Sequence, residues 1–99
     1  MLHLVNKSPF DGCSLDTAAA IMKGGDELLL IEDGVYGALD GSRVSDAVRA
    51  ALADRTVCVL GADAAARGVA DKVLDGIGVV DYDGFVDLVA ANDGVQSWL

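Results

Sequence analysis

Two stretches of this sequence narrow the choice of fold more than any other feature. Leu28-Leu29-Leu30-Ile31 and Val57-Cys58-Val59-Leu60 are apolar at every position, with no polar residue at alternate places. A strand that buries one face alternates in polarity, whereas a strand covered on both faces does not. Leu2-His3-Leu4-Val5 is short and apolar in the same way, and Ile77-Gly78-Val79-Val80-Asp81-Tyr82 reads as a further strand. Between these runs the hydrophobic period changes to that of a helix. Leu15, Ala18, Ala19 and Met22 recur at i, i+3, i+4 and i+7. Val44, Ala47, Val48, Ala51 and Leu52 line one face of a second helix, with Arg43, Asp46, Arg49 and Asp54 opposite. Strand and helix thus alternate along the chain. The expected fold is α/β, a three-layer α/β/α arrangement with a parallel sheet of four to five strands and helices on both faces.

The punctuation agrees with this pattern. Asn6 to Gly12 reads as a loop, with Pro9 and Asp11-Gly12 as turn residues. Ser14 is placed to cap the first helix and Gly24-Gly25 to stop it. Asp33-Gly34 reads as a turn after the second strand, and Val35 to Leu39 as about one helical turn. Asp63 is expected to cap a short helix through Arg67, stopped at Gly68. Asp83 is expected to cap a last helix with Phe85, Leu88 and Val89 turned inward, ended by Asn92-Asp93-Gly94. Val95 to Leu99 reads as a short fifth strand carrying Trp98. The 99 residues are expected to form one domain, 1–99.

Composition bears on partners. The chain is 53% hydrophobic and its mean hydropathy is +0.41. That is more apolar material than one small core needs, so we expect other subunits to cover some of it and the isolated chain to self-associate. The net charge is −9, from 16 acidic and 7 basic residues. Direct nucleic-acid binding needs clustered Lys and Arg, and an anionic membrane surface needs basic residues too, so neither is expected. The acidic excess serves solubility or a basic partner protein. The N-terminus lacks the pattern of a secretory signal, and no apolar run spans a bilayer. Two cysteines in such a chain imply a reducing compartment, the cytoplasm, with free thiols.

In open parallel sheets, ligands approach the carboxyl ends of the strands. The residues expected at that edge are Lys7, Ser8, Cys13, Glu32, Asp33, Tyr36, Gly61, Asp63, Asp81 and Tyr82. Cys13 is the candidate nucleophile. A thiol where a loop enters a helix lies near unpaired N–H groups and the positive end of the helix dipole, which favour the thiolate. Such a thiolate attacks a persulfide or disulfide; the alternative is an exposed thiol with no role. Cys58, inside a strand, reads as a small buried hydrophobe. His3 has no partner at a metal-ligand spacing and reads as a packed, hydrogen-bonded residue, so no metal site is expected. Glu32-Asp33 lacks the further acid and lysine of a phosphate-receiving site, and Gly76-Ile77-Gly78 precedes a strand, so it is no phosphate loop. No cofactor is expected.

Several segments, taken in order, carry a resemblance. Leu2-His3, Asn6-Lys7-Ser8-Pro9-Phe10, Gly25-Asp26-Glu27-Leu28-Leu29-Leu30, Glu32-Asp33-Gly34-Val35-Tyr36, Gly41-Ser42-Arg43-Val44, Ala66-Arg67-Gly68, Val80 to Leu88 and Val95-Gln96-Ser97-Trp98-Leu99 resemble the DsrH/TusB family from Met1 to Leu99. The resemblance implies a small α/β/α subunit of a cytoplasmic sulfur-relay complex. Its partners would be DsrE/TusD-type and DsrF/TusC-type paralogues in a heterohexamer, with a sulfur-carrier protein. The sulfur would go to tRNA 2-thiouridine synthesis in one branch and to sulfur oxidation in the other. The Asn6 to Phe10 and Val95 to Leu99 wording is nearer the DsrH branch. That branch commonly carries a cysteine within the first helix, at the position of Ala18 when Ser14-Leu15 is aligned; here the cysteine is Cys13. The resemblance therefore implies a mainly structural, interacting subunit, with the main sulfur-accepting cysteine in a partner. A persulfide carrier using Cys13 and a stand-alone small-ligand binding module are the alternatives.

Overall fold

A computed structural model describes residues 1–12, 14–41 and 45–98 of the chain. Five strands form one sheet: β1 (Leu2–Val5), β2 (Glu27–Leu30), β3 (Thr56–Leu60), β4 (Gly78–Val80) and β5 (Val95–Trp98). Their order is β4-β3-β2-β1-β5, and every adjacent pair is parallel. The helices are α1 (Ser14–Ile21), α2 (Ser45–Leu52), α3 (Gly61–Ala66) and α4 (Tyr82–Ala91), with a 3₁₀ helix over Glu32–Ala38. The α/β architecture read from the apolar runs is the one observed.

The connections decide which helix covers which face. From β1 to β4 the chain steps along the sheet in one direction, and right-handed crossovers put all of the intervening helices on one side. From β4 to β5 it steps back across the whole sheet, so the same handedness puts α4 on the other side. The packing follows. Val5, Leu28, Leu30, Val57 and Val59 meet Leu15, Ala18, Val35, Ala38, Val48, Ala51 and Ala64 in the larger core. On the opposite face Leu2, Leu29 and Cys58 are buried, and the half-buried Leu4, Ile31, Val80, Phe85 and Leu88 complete a smaller one. A single helix thus covers the second face, and none of its own residues is buried.

Several local expectations are corrected. Glu32 begins a seven-residue 3₁₀ helix in place of a simple Asp33-Gly34 turn, so the piece at Val35 to Leu39 is longer than one turn. The reason lies at Gly34, which passes so close to β1 that an added Cβ would stand 2.1 Å from the Val5 carbonyl oxygen. The helix α3 starts at Gly61, directly from β3, without a side-chain cap; Asp63 is inside it. In α4 the cap is Asp81, whose carboxylate accepts the Gly84 N–H at 2.8 Å, and Asp83 is inside the helix. Val89 is 37% exposed instead of inward. Ala47 is exposed on α2, while Ser45, Val48 and Ala51 are buried. Ser14 stands as the first residue of α1, with the turn after Met22 reversed at Gly25, where φ is +86°. Arg43 and Val44 lie outside the described residues, as does Leu99.

Candidate functional site

The connections that follow β1, β2 and β3 pass over one face of the sheet and the one that follows β4 passes over the other, so the reversal lies between the neighbouring strands β3 and β4. The carboxyl ends of those two strands therefore flank the crevice where open α/β sheets take their ligands. Asn6 and the exposed Lys7 follow β1 at the same edge of the sheet, two strands away from β3. Ser8 is buried, and its Oγ accepts the Phe10 N–H at 3.1 Å, while its carbonyl accepts the Asp11 N–H at 3.1 Å. This hydroxyl-closed turn leads the loop toward α1. Asn6 Oδ1 is buried with no hydrogen-bond partner among the described residues. Cys13, the candidate nucleophile, lies outside the described residues. Ala18 is fully buried against the sheet.

A second group gathers at the ends of β2 and β3. Glu32 adopts a left-handed backbone, φ +49°, and its N–H donates to Asp63 Oδ2 at 2.7 Å. Arg67 Nε donates to Asp33 Oδ1 at 2.8 Å, and Nη1 reaches the Asp63 carbonyl at 3.4 Å. The Asp33 hydrogen bond leads the effects that hold the Arg67 pKa above its ordinary value. The expected edge residues Glu32, Asp33 and Asp63 are thus together, joined by Arg67. The acids of this group are engaged in holding the 3₁₀ helix to α3, and Tyr36 packs against the larger core. Among the described residues no group of His, Cys, Asp and Glu is arranged to hold a metal ion.

The third group, Gly61, Asp81 and Tyr82, lines a cleft of about 560 Å³ with Ala62, Val79, Val80 and Gly84. The cleft opens at the carboxyl ends of β3 and β4. Its walls are apolar, and Tyr82 at its rim is 64% exposed.

One cluster was absent from the expected edge. His3 is buried, as the sequence implied, and its Nε2 is 3.0 Å from Asp26 Oδ2. Trp98 Nε1 donates to His3 Nδ1 at 3.2 Å, and the two rings stack with centroids 6.2 Å apart. Trp98 supplies the proton of its bond, so Nε2 carries the imidazole proton and donates to Asp26. Both ring nitrogens are engaged, so His3 offers no free base. The His3 bond, then the Lys23 N–H, hold the Asp26 carboxyl down at about 2. The partners lie 23 and 95 residues away in sequence, and no local signal reveals them. Cys58 is a buried free thiol, as read from its strand; burial first, then the Glu27 charge, push its pKa up.

The described residues thus present a parallel α/β protein with helices on both faces of its sheet. The protein ychN of E. coli has the same fold, with a TM-score of 0.83 at 16% identity over 97% of each chain. A protein of unknown function from Methanobacterium thermoautotrophicum superposes with a TM-score of 0.72 at 17% identity, over 97% of this chain and 95% of that one. The DsrH family model, described as "DsrH like protein", matches residues 7–95. Curated relatives named "Protein TusB" from Escherichia coli O157:H7 and from Klebsiella pneumoniae are 37% and 38% identical, over 99% of this chain and 100% of theirs. The chain belongs to the DsrH/TusB family, and with that membership it is a sulfur-relay complex subunit. No helix of the described residues is long and apolar enough to cross a membrane.

Proposed function

We propose that residues 1–99 act as one domain, an interaction subunit that helps assemble a cytoplasmic persulfide relay with DsrE/TusD-type and DsrF/TusC-type paralogues in a heterohexamer. The observation that carries this reading is α4, an apolar helix that covers one whole face of the sheet while burying none of its own residues. A helix that keeps Tyr82, Val86 and Val89 exposed beside the residues it packs on the sheet fits a place against another subunit. The TusB name of the relatives supports the tRNA 2-thiouridine branch, with a sulfur-carrier protein as the next acceptor. The Asn6 to Phe10 and Val95 to Leu99 wording supports the sulfur-oxidation branch as the second reading.

In this reading Cys13 is dispensable, and the indispensable cysteine belongs to a paralogue. The alternative makes Cys13 a carrier, gaining one persulfide sulfur at a time. The test is a transfer assay with the reconstituted complex, comparing Cys13→Ala with wild type. Activity within threefold of wild type is expected. A loss of tenfold or more, about 1.4 kcal/mol of barrier, would make Cys13 a carrier. Failure of the chain to co-purify with either paralogue would overturn the subunit role itself.

A further inference from the structure

The outer side of α4 carries an apolar stripe. Tyr82, Val86 and Val89 recur at i, i+4 and i+7, directly beside the inward Phe85 and Leu88 on the helix surface. Tyr82, Val86 and the neighbouring Val79 of β4 are 64%, 63% and 63% exposed. The stripe runs into the cleft that Gly61, Ala62 and Val79 line with Tyr82. Other exposed apolar side chains, such as Phe10 and Ile21, stand on different elements.

The charge around the stripe has one sign. From Val73 to Leu99 the sequence holds Asp75, Asp81, Asp83, Asp87 and Asp93 and no Lys, Arg or His. Asp83 and Asp87 lie beside the stripe on the side of α4 away from Phe85 and Leu88, and Asp81 caps the helix. An apolar stripe on a helix whose only charged side chains are acidic favours a partner with basic residues beside its groove.

We propose that the outer face of α4, with Val79 and the cleft beside it, is the docking surface for a second α/β subunit offering an apolar groove rimmed by lysine or arginine. The proposal rests on the reading of this chain as a complex subunit. A second copy of the chain does not fit. A two-fold contact through this face would set Asp81, Asp83 and Asp87 against their own copies. Nucleic acid and anionic membrane are disfavoured by the same charge. The mode is that of a helix laid into a groove, read by anchors at i, i+4 and i+7.

The experiment uses the chain co-expressed with its two paralogues and measures affinity of the purified subunits by titration, with native mass spectrometry for stoichiometry. Val86→Asp is the main variant, because an exposed position tolerates it; circular dichroism verifies its fold. A thirtyfold or larger loss of affinity is expected. Ile21→Asp, on α1, is the control and should stay within threefold. Asp83→Lys with Asp87→Lys should weaken binding tenfold or more and flatten its salt dependence. Wild-type affinity in Val86→Asp, or an equal loss in Ile21→Asp, would overturn the surface while leaving the subunit role standing. Self-association of the isolated chain that Val86→Asp abolishes would overturn the basic heterologous partner. No wild-type complex at all would overturn both.

Discussion

Trp98 reaches across the β5–β1 pair and donates a hydrogen bond to His3 Nδ1 at 3.2 Å, although the strand register sets Gln96, not Trp98, beside His3. The indole therefore leans back along its strand and locks the imidazole from the sheet side. Trp98→Phe keeps the ring stacking and removes the N–H, leaving a buried acceptor unpaired. We expect a loss of about 1–2 kcal/mol in stability. Urea unfolding at neutral pH measures it, and an unchanged midpoint would show that the bond contributes nothing.

The other partner of His3 sets an acid limit. The Asp26 carboxyl is held at about 2 in the folded chain, against an ordinary 3.8. Above about pH 5 it is ionised in both states and its contribution is complete. As pH falls below 3.8 the unfolded chain takes the proton first, and stability drains away until the folded carboxyl titrates near 2. The contribution is about 2 kcal/mol, since each pKa unit is worth about 1.4 kcal/mol. Unfolding of wild type and Asp26→Asn between pH 2 and 6 should show two curves that differ above pH 4 and converge toward pH 2. Parallel curves throughout would refute the linkage.

Gly34 should tolerate no side chain. An added Cβ would stand 2.1 Å from the Val5 carbonyl oxygen, which is backbone and cannot swing aside. We expect Gly34→Ala to cost about 3 kcal/mol, the upper range for forced repacking. Thermal unfolding tests this, with Gly12→Ala as the control, since nothing lies within 4 Å of an added Cβ there.

Cys58 should react only when the sheet opens. It is 7% exposed, and burial disfavours its thiolate. Its rate with a thiol reagent should rise with urea in step with unfolding, while Cys13, which the sequence predicts at a helix start, should react at once. Full labelling of both thiols in the native protein within the same dead time would contradict this.

The sequence reveals features that repeat within a few residues and conceals those that join distant segments. The strands were legible because Leu28 to Leu30 and Val57 to Leu60 are apolar throughout. The 3₁₀ helix at Glu32 was hidden behind the Asp33-Gly34 signal, because the close pass of Gly34 under Val5 is tertiary. Asp63 looked like a cap, but its carboxylate serves Glu32, 31 residues earlier. In α4 the apolar arc through Leu88, Phe85, Val89, Tyr82 and Val86 is wider than the face that packs on the sheet, so periodicity does not separate the inward Phe85 and Leu88 from the exposed Val89. The turn at Ser8 was legible from Pro9 and Asp11-Gly12, whereas Cys13 lies outside the described residues. The bonds around His3 were not, since Asp26 and Trp98 come from separate turns of the chain.

The order of the sheet also has a consequence for synthesis. Of the five strands β1 is made first, yet its second neighbour in the sheet is β5, the last of the five to be made. Until residues 95–98 appear, one edge of β1 stays open, and the Leu2 N–H lacks the Gly94 carbonyl that receives it at 2.9 Å. A growing chain halted at α4 would hold an unpaired apolar edge next to an uncovered helix, both prone to sticking. Completion of the last four-residue strand would then be the step that turns a nascent, aggregation-prone sheet into a finished one.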